Sequence, residues 1–361
     1  VRAKLLRWYG REKRNFPWRG ETDPYRIWVS EVMLQQTQAA AVVDRYPRFL
    51  ERFPTAASLA DAPLEAVLSE WQGMGYYTRA RNLHRAARIV AGLPGSKLPR
   101  GREALIQLPG FGPYMAGAVS SIAFGERAAA VDGNAVRVLS RLLNLGSPVG
   151  ASPGKETLEK EAEALVPPSR PGDFNQAVMD LGAGVCLPRH PRCQACPLAR
   201  DCAALAAGTA PLLPVKTKKK PPKKVTLFQL WAERRGAILM VRREDEGLFG
   251  GMWELPGLMI DGRPEGPDRR ALGGAIRKLL GPGWRAGAKI ARITRTLTHR
   301  KILFIVLRAE KSGGKIPQRL PEGTLWANEN DLAALPVSAA QRAAIVAARE
   351  ALSDRQGNLF A

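Results

Sequence analysis

Two carboxylates stand where acid and ion-stabilising chemistry could be done. Glu31 lies in DPYRIWVSEVMLQQTQ, among Ile27, Trp28, Met33 and Leu34 rather than on an evidently polar surface. A carboxyl pressed into apolar surroundings holds its proton toward neutral pH, as a general acid must. Asp132 precedes Gly133, Asn134 and an apolar-periodic run (Val136, Leu139, Leu142, Leu143), the place of a helix N-cap. Upstream, LPGFG closes one helix and PYMAGAV opens the next. Gly110 and Gly112 can take the positive φ of a tight turn, and Pro113 suits a first helical position. Free N–H groups ahead of that helix would make an anion site suited to a nucleic-acid phosphate, at which the Asp132 carboxylate is aimed. Cys186, Cys193, Cys196 and Cys202 follow a C-x6-C-x2-C-x5-C pattern, four thiolates that could close one metal site. Spacing alone leaves zinc and iron–sulfur both open.

The elements that would position these groups are mostly helical up to residue 208. The N-terminal stretch is basic and aromatic (Arg2, Lys4, Arg7, Trp8, Tyr9, Arg11) and runs into FPWR. Gln35, Gln36 and Gln38 are an unusual number of amides for one helix end, and amides can read base edges. In WQGMGYYTRARNLHRAARIV, Gly73 and Gly75 break a helix, and Tyr76 and Tyr77 lead into a basic amphipathic one. Aromatics beside arginines suit a stacking surface for nucleic acid. FNQAVMDLGAGVC is an apolar-faced helix entering the cysteines, and TAPLLPVKTKKKPPKK is a Pro/Lys linker over residues 209–224. From Val225 the pattern turns to strands, with a helix near 268–280 and an Ala-rich helix from Ser338 to about Ser353.

Composition sets the bounds. At 361 residues two domains are expected, and a net charge of +22 points to a polyanionic partner. No apolar run is long enough to cross a membrane. The first residues show no apolar core like that of a signal peptide, and clustered cysteines fit a reducing compartment, so a cytoplasmic setting is expected. The chain does not open on Met, so its numbering is expected to begin inside the natural protein.

SEVMLQQTQ, the LPGFG hairpin with Asp132, and the cysteine spacing together resemble the helix–hairpin–helix DNA glycosylase superfamily, the endonuclease III and MutY relatives. The resemblance implies a multidomain α plus α/β chain. An all-α helix–hairpin–helix glycosylase domain with an iron–sulfur loop would occupy 1–208. After the linker would come a Nudix-like α/β domain over 225–353, then a tail over 354–361. It implies base excision of adenine opposite 8-oxoguanine or guanine in double-stranded DNA by a bacterial, monomeric enzyme.

Residue by residue, the resemblance implies that Glu31 is the catalytic acid and that Asp132 stabilises the oxocarbenium-like sugar. Tyr114 and Asn134 would position sugar and water. Endonuclease III relatives hold a nucleophilic Lys where this chain has Tyr114. A phenol cannot form an imine, so strand cleavage is not expected. Gln176 would recognise the adenine, with Trp18 and Arg19 of the PWR segment nearby. Gln36, Leu34 and Tyr76 would enter or wedge the DNA stack, and Gly110 and Gly112 would approach the phosphate. The cysteine intervals match a [4Fe–4S] loop. The places of a Mg²⁺-binding Nudix box, counted from Gly257, hold Arg263, Ala271, Leu272, Ala275 and Ile276, so the second domain reads as a binding module. Leu297, Thr298 and His299 match its 8-oxoguanine loop, with the usual aromatic replaced by Leu297. Gln356 to Phe360 (QGNLF) resembles a sliding-clamp peptide.

Overall fold

The computed structural model describes residues 1–361 except 216, 218–220, 263–265, 267, 298, 312, 314–318 and 358–361; the side chains of 355–357 are also outside the description. The chain separates into two compact units, Val1–Ala62 with Arg79–Lys219, and Pro63–Thr78 with Lys220–Ala361.

The first unit is helical. In the helix Pro24–Leu34, Asp23 caps the N-terminus by accepting from the Tyr25 and Arg26 amides, and Pro24 fills the first turn, where no amide is needed. Every residue from Tyr25 to Met33 except Arg26 is buried, so this helix runs through the interior rather than along it. Trp28 meets Phe111 of the hairpin at 5.5 Å between ring centroids, which ties the Glu31 helix to the turn expected to hold phosphate. A second cluster, including Leu5, Tyr9, Val138, Leu139, Phe174 and Leu181, packs the helices Arg2–Glu12, Gly133–Leu142 and Pro171–Gly184 together. Burying each such large side chain contributes about 2 kcal/mol. This packing fixes the start of the Asp132 helix against the helix that carries Gln176.

The hairpin joins the helices Arg102–Ile106 and Pro113–Ala123. Only one of its two glycines uses left-handed backbone. Gly110 has φ +85, and a Cβ there would meet Asn82 Cβ at 2.8 Å. Gly112 is extended (φ −92, ψ 179) and is the N-cap of the second helix, with open space where a side chain would stand. The expectation of a positive φ at Gly112 is thus corrected. What its lack of a side chain provides is an uncovered helix N-terminus.

In the second unit the strands are β1 (Lys223–Trp231), β2 (Glu233–Arg234), β3 (Ala237–Arg242), β4 (Trp253–Glu254), β5 (Gly257–Asp261), β6 (Trp284–Thr296), β7 (Arg300–Lys311) and β8 (Thr324–Ala327). One mixed sheet has the order β5-β1-β7-β6, with β1 and β7 parallel and the other pairs antiparallel. The other sheet has β2, β3 and β4 in order, with β8 also on β3. Alternation along β1 and β7 divides the apolar residues. Leu227, Ile302, Phe304 and Val306 join Ala344, Ile345 and Ala348 of the helix Ala339–Gly357. Phe228, Leu230 and Leu307 join Leu272, Ile276 and Leu280 of the helix Arg269–Leu280. The segment 63–78 belongs here by contact: Trp253 donates to Glu65 at 2.6 Å, and Gln72 donates to the Leu335 carbonyl at 2.8 Å.

Candidate active site

Glu31 is 4% exposed, on the interior face of its helix. Tyr114, in the first turn after the hairpin, donates its hydroxyl to Glu31 Oε2 at 2.6 Å. Burial pushes the Glu31 carboxyl up from its ordinary range. The Tyr114 bond and the Arg19 charge pull it back in part, and the Asp132 charge adds to the rise. Burial and the two neighbouring carboxylates likewise push the Tyr114 phenol well up, so it is a hydrogen donor at every physiological pH.

Asp132 caps the helix Gly133–Leu142. Its Oδ1 accepts from the Ala135 amide at 2.7 Å and its Oδ2 from Asn134 Nδ2 at 2.9 Å. Burial raises this carboxyl as well, against the pull of those donors. Asn134 is itself fixed. Its Oδ1 accepts from Arg137 Nη2 at 2.9 Å, and Arg137 also donates to the Gly182 carbonyl at 2.7 Å. The helix backbone comes close at this point, since a Cβ on Gly182 would lie 2.7 Å from Asn134 Cβ. The buried Glu31 and the half-buried Tyr114 and Asp132 therefore form one constellation, in which the two carboxylate charges influence each other, built from segments far apart in sequence.

On the Pro171–Gly184 helix, Gln176 is nearly buried, and its Oε1 accepts from Arg19 Nη1. Arg19 also donates to Asp180 Oδ1 at 2.7 Å, and Arg14 donates to the same oxygen through Nε at 3.0 Å and Nη2 at 2.6 Å. Asp180, one helical turn beyond Gln176, was not among the expected site residues. An acid in an otherwise apolar helix face, downstream of a basic N-terminal stretch, was the available signal. Trp18 is buried, stacked on Phe16 at 4.8 Å and edge-on to Tyr46 at 5.9 Å, so it supports the Arg19 segment.

Past the end of the Glu31 helix, Leu34 is half-buried and Gln36 is exposed with φ 54. A non-glycine residue in left-handed backbone is uncommon and is held by its surroundings. Here the clamp is Arg79. Its Nη1 donates to the carbonyls of Val32 (2.8 Å), Met33 (2.9 Å) and Gln35, and its Nη2 to Thr37 Oγ1 (2.9 Å). These are the carbonyls that a helix C-terminus leaves without partners. Tyr76, in the second unit, is also left-handed (φ 47) and 44% exposed. Leu297 is half-buried and His299 exposed at the β6–β7 turn, while Thr298 lies outside the described residues, as does most of Gln356 to Phe360.

The iron–sulfur expectation is corrected. Cys186, Cys193, Cys196 and Cys202 line one small hollow with Arg141. Yet among the described residues no group of three or more His, Cys, Asp or Glu is placed to hold a metal ion. The four are free cysteines. Arg141 Nη1 donates to Cys186 Sγ at 3.3 Å, and Cys202 Sγ donates to the Arg141 carbonyl at 3.4 Å. Burial pushes the Cys196 thiol up to about 11, which disfavours the thiolate that metal ligation requires. Spacing brought the cysteines to one loop without arranging them as a ligand set. In the second unit, the Arg269–Leu280 helix carries no carboxylate and buries Leu272 and Ile276, so these places of the Nudix box face the core. Arg263, the remaining early place, lies outside the described residues. No helix among the described residues is long and apolar enough to cross a membrane.

Comparison with known proteins agrees with this architecture. Residues 29–168 match the family model of the HhH-GPD superfamily of base excision DNA repair proteins, and residues 227–347 match that of the NUDIX domain. The chain is 35% identical to the adenine DNA glycosylase of Homo sapiens, covering 94% of this chain and 72% of that protein. It is 39% identical to that of Rattus norvegicus, covering 72% and 60%, and 33% identical to that of Buchnera aphidicola subsp. Baizongia pistaciae, covering 70% and 72%. Among solved structures, a thermostable thymine-DNA glycosylase aligns with a TM-score of 0.51 at 33% identity, over 57% of this chain and 94% of that one. With a helix–hairpin–helix unit around the buried Glu31 and the half-buried Asp132, a Nudix-type unit after it, and these relatives along most of its length, the chain belongs to the adenine DNA glycosylase family.

Proposed function

We propose that this adenine DNA glycosylase removes adenine mispaired with 8-oxoguanine or guanine in duplex DNA, without cutting the strand. The observation that carries the mechanism is the hydrogen bond from Tyr114 to the buried Glu31, with the Arg19–Gln176 pair in the same unit. The glycosidic bond cannot be reached inside a duplex, so the adenine is first turned out of the stack. Gln176 and Arg19 offer it donors and acceptors. Glu31, whose hold on its proton is strengthened by burial, gives that proton to N7. The C1′–N9 bond then breaks, its electron pair leaves with the base, and the sugar becomes an oxocarbenium-like cation. Asp132 stabilises that cation through its charge. Tyr114 and Asn134 hold the surrounding geometry while water adds at C1′ and gives its proton to the Glu31 carboxylate, which restores the acid. No amine stands at position 114 to trap the sugar as an imine, which supports base release without lyase action.

The second unit is assigned the opposite base. The β6–β7 turn with Leu297, Thr298 and His299 contacts 8-oxoguanine. Gln36, Leu34 and Tyr76 occupy or wedge the duplex, and the hairpin at Gly110 and Gly112 takes a phosphate. The enzyme acts as a monomer in the cytoplasm, and Gln356 to Phe360 docks a sliding clamp.

The deciding experiment is single-turnover cleavage of a duplex with a labelled adenine opposite 8-oxoguanine, with and without hot alkali. Breaks only after alkali support the assignment, and breaks without alkali contradict the role given to Tyr114. A parallel duplex with thymine opposite guanine tests the alternative raised by the solved thymine-DNA glycosylase. Preferential cutting of that duplex would overturn the substrate assignment.

A further inference from the structure

We propose that Lys223, Lys224, Arg300 and Lys301 form a platform for the duplex phosphate backbone beside the Leu297–His299 turn. This rests on the reading of the second unit as a contact for duplex DNA. It adds how the unit holds the strand, apart from which base it reads.

The argument begins with register. β1 and β7 run parallel, with Lys223 opposite Arg300 and Lys224 opposite Lys301. Partners in a parallel ladder share a face, and adjacent strands lie about 4.8 Å apart. The start of the two strands therefore sets like charge against like charge on both faces of the sheet. Further along the same strands the register pairs apolar residues, Val225 with Ile302 and Leu227 with Phe304. Like charges directly opposite one another destabilise a sheet.

Nothing among the described residues offsets these charges. None of the four side chains has an ion pair or hydrogen bond there. The nearest carboxylate by register is Asp261 of β5, opposite Val225, and it pairs with none of them. Lys223, Lys224 and Lys301 are exposed and Arg300 is half-buried.

The platform is fixed to the turn by backbone bonds. The Lys223 amide donates to the His299 carbonyl at 2.9 Å, and the Leu297 amide donates to the Arg300 carbonyl at 2.7 Å. Exposed Thr296 continues the Lys224–Lys301 rung onto β6, and exposed Arg295 stands one rung further, opposite Ile302. A nucleic-acid strand carries a negative charge about every 3.4 Å of duplex axis. Successive phosphates flanking a base held at His299 can thus meet successive rungs, and repulsion in the free sheet becomes attraction in the complex.

The test is equilibrium binding of the full chain to a duplex with 8-oxoguanine opposite a non-cleavable fluorinated adenosine, followed over a range of NaCl concentrations. In the double variant Lys224→Gln/Lys301→Gln, the slope of log affinity against log salt should become shallower by about 1–2. Its thermal midpoint should stay level or rise, because a repulsion has been removed. Arg285→Gln, at the far end of β6 and paired with Glu310, should leave the slope unchanged. An unaltered slope in the double variant would overturn the proposal, and so would an equal change in Arg285→Gln, which would indicate net charge alone. The base-reading assignment is separated by His299→Ala. If that variant keeps full preference for 8-oxoguanine over guanine while the double variant loses slope, the base reading fails and the platform stands.

Discussion

Tyr114 gives its hydroxyl hydrogen to Glu31 Oε2 at 2.6 Å, and no described residue donates to the other carboxyl oxygen. One oxygen is committed to the protein and the other is left for the proton that is transferred. The bond favours the ionised acid, so it tunes Glu31 downward against burial. Removing it should raise the carboxyl further. Tyr114→Phe is expected to move the descending limb of the single-turnover pH profile to higher pH, since activity falls as Glu31 loses its proton. A limb that stays in place or moves lower would show that Glu31 is not the group titrating.

Glu31→Gln should reduce base release by about 10²–10⁴-fold while leaving duplex affinity largely intact. It should also stabilise the fold at neutral pH. The folded-state carboxyl is raised above its ordinary value of 4.5, so the folded protein binds the proton more tightly than the unfolded chain does. That stabilisation is complete below 4.5 and is lost as pH climbs through the raised value. Thermal midpoints of the two proteins should therefore converge in acid and diverge, with Gln above Glu, at neutral pH. Equal midpoints throughout would mean that the site does not strain the acid.

Asp132→Asn separates catalysis from capping. Asn accepts the Ala135 amide as well as Asp does, so stability should change by less than about 0.5 kcal/mol. Loss of the charge facing the sugar cation should still lower the rate by orders of magnitude. Denaturant melts and single-turnover rates on one preparation would check both. A large loss of stability would make Asp132 chiefly a structural cap.

Asp180→Asn removes the charge that holds Arg14 and Arg19 together. Hydrogen bonds to a charged group contribute about 1.5–3 kcal/mol, and Asp180 is almost wholly buried, so a loss near that size is expected in chemical denaturation. Arg19 would then be free to leave Gln176, and discrimination between adenine and purine lacking the 6-amino group should weaken. An unchanged preference would confine Asp180 to stability.

Much of this was legible because it is local. Asp132 as an N-cap, the left-handed Gly110 and the apolar setting of Glu31 each follow from a few adjacent residues. The strands after Val225 showed through their alternation, although β1 begins at Lys223, inside the segment read as linker. Asp180 did not show, because its partners Arg14 and Arg19 lie more than 150 residues away in sequence and no periodicity records a pairing at that separation. The cysteines misled for the opposite reason. Their intervals are a regular pattern, but intervals fix neither the direction of a thiol nor its protonation. The role of Gly112 was misread because its backbone is extended, a conformation open to any residue, so no left-handed turn calls for glycine there.

Arg79 grips the last carbonyls of the Glu31 helix and the turn bearing Gln36 in one hand. The consequence is metrical. If Gln36 fills the gap a displaced base leaves and Glu31 meets that base, the two events are separated by a rigid rod whose end cannot fray. The enzyme then measures as well as catalyses. A nucleotide turned out by some other distance would find the slot filled but the acid out of reach, and a base still stacked would find neither. Fidelity toward intact DNA would reside partly in the length of one helix end.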